Sequence, residues 1–274
     1  MHNEFYWNTS DQTKIYTQDW TNHKPIKGVV VLVHGLGEHS NRYQHVAEFF
    51  TGAGFSMIGM DLRGHGKSGG QRGHFPSFDI LMDDIKQFLE ITSNRYPSLP
   101  VFLYGHSLGA NLVLCYTAKR QPKLAGVIAT GLAITFAVPP AKLLIGKITY
   151  NLHPTMSLSN GLDRSGLSRD QKVVDAYNND PLVHDRISAR LGIDLIQSGP
   201  WLESHKMDLK LPLLVMQGSM DRLVNSRATQ AFAQSLTSNV TFKLWEGFYH
   251  ELHNEPEKQE VLTFILNWMN NHLD

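Results

Sequence analysis

The stretch from Val101 to Leu114 constrains this chain more than any other. Four apolar residues, Val101 to Tyr104, lie between Pro100 and Gly105 and read as a short buried strand. From Ala110 onward the residues are good helix formers with apolar side chains at helical spacing. Between strand and helix stands Gly105-His106-Ser107-Leu108-Gly109, a G-x-S-x-G turn. A turn this tight brings neighbouring backbone against the serine, so a Cβ at either flanking glycine is expected to clash. Ser107 is then held in a strained conformation with its hydroxyl raised above the sheet edge. The helix that starts beneath it aims free N–H groups and a positive dipole end at any negative charge forming there. The five-residue pattern alone is common by chance, and the flanking strand and helix give it weight.

The rest of the chain repeats the strand-then-helix rhythm. Residues 5–20 alternate apolar and polar, as an antiparallel hairpin at a sheet edge does. Val29 to Val33 is a continuous β-branched run, the mark of a strand buried on both faces. A helix is expected over Tyr43–Thr51, a strand over Phe55–Met60, an amphipathic helix over 78–95 and a strand over Leu124–Thr130. Such alternation predicts an α/β fold with a mostly parallel central sheet flanked by helices. Ligands in such sheets sit beyond the carboxyl ends of the strands, where the loops after His34, Asp61 and Ser107 fall.

After about Gly131 the rhythm breaks. From Ala133 to Lys206 no clear buried strand is found, and the stretch is too long for a plain loop. It reads as an inserted helical cap, which divides the chain into a first core part (1–132), the cap (133–206) and a second core part (207–274). The strands resume at Leu211–Gln217 and Val240–Trp245, and a closing helix runs from Pro256 to about His272.

Composition narrows the classes of partner. The chain has 274 residues, enough for one large core, with 25 basic against 25 acidic side chains, so nucleic acid is not an expected partner. Cys115 is the one cysteine, which rules out an intramolecular disulfide, and its place among apolar helix residues suits a buried thiol. The first residues carry no basic and apolar leader pattern, and no apolar run reaches the roughly 18 residues of a membrane span. A cytoplasmic protein is expected.

A serine hydroxyl needs a base, and the base needs an acid to fix its tautomer. Asp221 follows the first resumed strand and His250 the second, in the chain order expected after a nucleophile elbow. Ser107 is therefore the candidate nucleophile, His250 the base and then acid, and Asp221 the group that orients His250. Each alone has a plainer reading, Asp221 as a helix cap and His250 as a loop histidine. The backbone N–H groups of Leu36 and Leu108 are the candidate oxyanion donors. His250-x-x-His253 lacks the helical H-E-x-x-H setting, so no metal is expected among the fourteen histidines.

Four segments carry a resemblance: His34-Gly35-Leu36-Gly37-Glu38-His39-Ser40-x-Arg42-Tyr43, Asp61-x-Arg63-Gly64-His65-Gly66-x-Ser68, Gly105-His106-Ser107-Leu108-Gly109 and Tyr177-Asn178-x-Asp180-Pro181. Together they resemble the monoacylglycerol lipases of the α/β-hydrolase superfamily, over nearly the whole chain. The resemblance implies cofactor-free hydrolysis of a monoacylglycerol ester, with the same three residues as triad and the same two oxyanion donors. It also implies a glycerol pocket at Glu38, Tyr177 and His253 with Arg42 nearby, which could pair two buried hydroxyls. Glu38 as a capping acid and Tyr177 as a packing aromatic are the plainer alternatives. The acyl chain is expected under the cap along Leu143, Leu144, Ile145 and Ile148, unless these form the cap's own core, with transient membrane contact through the cap. A lysophospholipase, a broad carboxylesterase and a non-catalytic protein on a hydrolase scaffold are the competing readings.

Overall fold

The structure, a computed structural model, describes residues 1–22, 25–135, 140–205, 211–236 and 239–273. The chain opens with strands β1 (His2–Asn8), β2 (Lys14–Trp20) and β3 (Val29–Val33). A 3-10 turn at Ser40–Tyr43 leads into helix α1 (Gln44–Gly52), and β4 (Ser56–Met60) and α2 (Phe78–Arg95) follow. Next come β5 (Val101–His106), α3 (Leu108–Arg120) and β6 (Gly126–Thr130). The segment beyond β6 holds α4 (Pro140–Leu152), β7 (Ser157–Ser159), α5 (Gln171–Asn179), β8 (Arg186–Ser188) and α6 (Ala189–Ser204). The chain then closes with β9 (Leu213–Gly218), α7 (Ser226–Ser235), β10 (Val240–Trp245) and α8 (Lys258–Asn270).

Among the described residues eight strands form one sheet, in the order β1-β2-β4-β3-β5-β6-β9-β10. The edge hairpin is antiparallel, and every pairing from β4 to β10 is parallel. The uninterrupted run Val29–Val33 follows from burial on both sides. Val29, Val31 and Val33 join Leu81, Ile85 and Phe88 of α2 in one core layer. Val30 and Leu32 face the other way, with Val46 and Phe50 of α1 and Leu262 and Ile265 of α8. Alternation along a strand thus feeds two separate cores. All ten residues of α3 from Leu108 to Thr117 are buried, so this helix is apolar around its whole girth. Cys115 is buried there, and burial pushes its thiol pKa up to about 12.

Among the described residues the segment between β6 and β9 adds nothing to the large sheet. Its β7 and β8 pair only with each other, antiparallel and largely exposed, so no hydrophobic pattern marks them in the sequence. Pro139 and residue 206, the latter the expected end of the cap, lie outside the described residues. Among the described residues no helix is long and apolar enough to cross a membrane.

The turn between β5 and α3 is as crowded as the sequence requires. A Cβ on Gly109 would overlap the carbonyl oxygen of Val33 on the adjacent strand, and one on Gly105 would overlap the carbonyl of Gly109. Helix and strands therefore meet backbone to backbone. Gly109→Ala is expected to destabilise the fold by about 3 kcal/mol or more, since neither backbone can retreat. Gly52→Ala, where no atom stands within 4 Å of the added Cβ, should stay within about 1 kcal/mol. Denaturant titration of the two variants checks the contrast.

Candidate active site

Ser107 occupies the junction of β5 and α3 with φ 54° and ψ −115°, outside the regions ordinary side chains prefer. A residue so placed stores about 1–3 kcal/mol of strain, held by the close packing of the glycines around it. Its N–H donates to Thr130 O at 2.9 Å, and its own carbonyl accepts from Asn111 N at 3.1 Å. Leu108 is the first residue of α3, so its N–H has no acceptor inside the helix. Ser107, Leu108, Leu36 and His250 all line one cavity, which encloses about 580 Å3 with its mouth included.

His250 reaches this cavity from the turn after β10, and Asp221, on the turn after β9, stands behind it as its partner. His250 Nδ1 donates to Asp221 Oδ2 at 2.7 Å. Gln217 Nε2 donates to the same oxygen at 2.7 Å, while Oδ1 accepts the N–H groups of Leu223 at 2.8 Å and Val224 at 3.1 Å. Burial alone would raise the pKa of Asp221, but His250 and the two N–H groups outweigh it and hold the carboxyl below its ordinary value. For His250 burial works downward, and the charge and hydrogen bond of Asp221, with Glu251 and Glu38 behind them, leave the imidazole pKa raised. A carboxylate on Nδ1 fixes the tautomer, so Nε2 is the nitrogen left to exchange a proton.

The same cavity has a polar part, with Glu38, Tyr177 and Glu251 in its wall. Glu38 Oε1 accepts from Gly35 N at 2.6 Å and from Tyr43 Oη at 2.8 Å, and Oε2 accepts from Arg42 Nη1 at 2.5 Å. A carboxylate offers about four acceptor positions, so one remains for a guest. Arg42 lies over the Tyr177 ring at 4.7 Å and is clamped by Glu251 through two hydrogen bonds of 2.6 and 2.7 Å. His253 is not in the cavity wall. It is fully buried behind it, stacked on Tyr43 at 4.5 Å and edge-on to His106 at 4.9 Å.

The apolar wall also differs from expectation. Leu144, Ile145 and Ile148 of α4 point to solvent at 61%, 62% and 52% exposure, and neither they nor Leu143 line the cavity. Leu162, Leu167, Leu195, Leu223 and Val224 form that wall instead. Helix periodicity shows which residues share a face, but α4 lays a different face on α6, where Gly146 meets Ile193.

Two further features were not read from the sequence. Gln217 and Glu251 meet their partners only through the fold, Glu251 pairing with a residue 209 positions away. The Asp61 loop is a brace: Asp61 accepts the N–H and hydroxyl of Ser40 at 2.8 and 2.6 Å and the N–H of Lys67 at 2.8 Å, tying it to the Leu36 loop. Among the described residues no group of three or more His, Cys, Asp or Glu side chains could hold a metal ion.

Comparison with known proteins agrees with this architecture. The family model described as Hydrolase_4 (Serine aminopeptidase, S33) matches residues 24–257. An uncharacterised abhydrolase domain-containing protein of Dictyostelium discoideum is 38% identical over 97% of this chain, which spans 29% of that longer protein. The monoacylglycerol lipase of Mycolicibacterium smegmatis is 36% identical over 93% of this chain and 92% of its own length. The crystal structure of Paleococcus ferrophilus monoacylglycerol lipase superposes with a TM-score of 0.86 at 35% identity, covering 94% of this chain and 99% of that one. A fold, a family model and near-full-length relatives thus converge: this chain is a hydrolase of the α/β class and belongs to the monoacylglycerol lipase family of the α/β-hydrolase superfamily.

Proposed function

We propose that the protein hydrolyses the ester bond of monoacylglycerols through an acyl-enzyme on Ser107. The observation that carries this reading is one cavity lined by Ser107 and His250 together with apolar side chains and the polar Glu38, Tyr177 and Glu251. His250, held through Nδ1 by Asp221, takes the Ser107 proton on Nε2 as the hydroxyl attacks the ester carbonyl. The N–H groups of Leu36 and Leu108 stabilise the resulting oxyanion. His250 then returns the proton to the departing glycerol oxygen, and a water activated the same way releases the fatty acid.

The glycerol hydroxyls are assigned to the spare acceptor position of Glu38 and to Tyr177, and the acyl chain to the wall of Leu162, Leu167, Leu195, Leu223 and Val224. Residues 133–206 act as the cap, because Leu162, Leu167, Tyr177 and Leu195 of this segment close the cavity from above the sheet. The exposed apolar face of α4, with Leu144, Ile145, Ile148 and Leu152, is the surface for transient membrane contact. The names and close identity of the Mycolicibacterium and Paleococcus proteins support the substrate class.

Ser107→Ala should lower monoacylglycerol turnover by about 10⁶-fold with the fold intact, as scored by released glycerol and by circular dichroism. Undiminished turnover would remove the mechanism. Tyr177→Phe keeps the ring over Arg42 but deletes a hydroxyl, so kcat/KM should fall about tenfold for a monoacylglycerol and stay level for a simple alkyl ester of the same acid. An equal loss on both esters would contradict the pocket assignment. Asp221→Asn removes the charge and hydrogen bond that chiefly raise the His250 pKa and leaves burial opposed only by Glu251 and Glu38. NMR titration should then find the imidazole pKa lower than in the wild type, with kcat down about 10⁴-fold.

A further inference from the structure

The polar part of the cavity holds a carboxylate that the hydrolytic steps do not use. Glu251 directly follows His250, is 2% exposed and lines the cavity beside Glu38 and Tyr177. Its N–H donates to Leu167 O at 2.8 Å, which fixes its backbone against the segment over the site. Oε1 accepts from Arg42 Nη1 at 2.6 Å, and Oε2 accepts from Arg42 Nη2 at 2.7 Å and from Asn254 Nδ2 at 2.7 Å. A free guanidinium here would be a bidentate receptor for a phosphate. Glu251 engages both of its terminal nitrogens, and Glu38 takes a second hydrogen bond from Nη1.

Charge counting then decides what this part will accept. Two buried carboxylates around one guanidinium leave one net negative charge. The nearby imidazoles do not offset it, since burial holds both His106 and His253 below the ordinary histidine pKa. Arg164, 5.7 Å from the Tyr177 ring and bonded to Asn178, is only half-buried and is screened by solvent. An uncharged polyol can donate its hydroxyl hydrogens to the carboxylate positions still open. An anion brings only more acceptors and more negative charge into a poorly screened site.

We propose that Glu251 is a specificity-determining residue: by occupying Arg42 it tunes the polar part to an uncharged polyol headgroup and against an anionic one of similar size, such as glycerol phosphate. The inference rests on the ester-hydrolase reading above. A purely structural strut between the His250 loop and Arg42 is the alternative.

The test compares octanoylglycerol with octanoylglycerol phosphate, below their micellar concentrations and at a pH where His250 is neutral. Wild type should hydrolyse the first and strongly disfavour the second. Glu251→Gln keeps the shape, and its one amide oxygen can still accept from Arg42 Nη2 and Asn254, but it gives up the bond from Nη1 and removes one negative charge. It should raise the anionic-to-neutral ratio of kcat/KM by about tenfold or more, about 1.4 kcal/mol, chiefly through the KM of the phosphate substrate. Arg42→Gln breaks the same pair yet removes the positive charge, and should move the ratio the other way. A strut predicts losses of the same kind in both variants, so shifts in one direction, or none, overturn the proposal while wild-type hydrolysis of octanoylglycerol leaves the parent reading standing. Wild type inactive on octanoylglycerol would overturn both. One arm needs no variant: octyl phosphate should compete with octanoylglycerol at least tenfold more weakly than the uncharged octyl glycerol ether, and equal competition overturns the proposal.

Discussion

The backbone contact between the start of α3 and the end of β3 is the constraint on which the site depends. Gly109 rests against the carbonyl of Val33 so closely that no side chain fits, and this forces the chain through Ser107 at φ 54°. The strain at Ser107 is small beside the buried area that enforces it, because α3 is apolar around its circumference and packed on all sides. One close approach thus sets three things together: where the hydroxyl points, which N–H begins the helix, and how near the Leu36 loop lies. Gly35 shows the last point, since a Cβ there would stand 3.3 Å from Cβ of Ser107.

The segment over the site is latched to the core on two sides. On one side His184 N donates to Gly37 O at 2.9 Å, His39 pairs with Asp180 at 2.9 Å, and Ser188 N donates to Gly73 O at 2.8 Å. Gly37, at φ +80°, leaves room for that first contact, where a Cβ would overlap the carbonyl of His184. On the other side Glu251 N reaches Leu167 O and Ser168 Oγ donates to Asn254 O at 2.9 Å. The first latch grips the loop that carries Leu36 and the loop before α2 that holds Gly73, and the second grips the loop that carries His250. Movement of this segment therefore bears directly on both ends of the proposed reaction centre.

Much of the core was legible because burial on both faces leaves an unmistakable trace. Val29–Val33 reads as a strand from composition alone, α2 was expected over the residues it occupies, and the edge hairpin declared itself by alternation. The elbow was legible because its glycines are demanded by contact rather than by composition. What the sequence did not disclose depends on pairings set by the whole fold. Glu251 meets Arg42 across 209 residues, and the apolar wall gathers leucines from three separate parts of the chain. The α4 leucine and isoleucines look like pocket lining by hydropathy, yet they face outward, since periodicity gives a face and not its neighbour. His253 was expected beside the substrate, whereas its stacking on Tyr43 holds it behind the wall.

The central claim is that His250, fixed by Asp221, activates Ser107 by removing its proton. Reaction of the protein with an alkyl fluorophosphonate as a function of pH tests this most directly, with the adduct mapped by mass spectrometry. The raised pKa of His250 means that imidazolium persists to higher pH than in an ordinary histidine, so the neutral base is recovered only as pH rises through that value. The expected result is an adduct on Ser107 whose formation rate climbs through a single ionisation above about 6.5. An adduct on another residue, or a rate on Ser107 that does not fall in acid, would contradict the account.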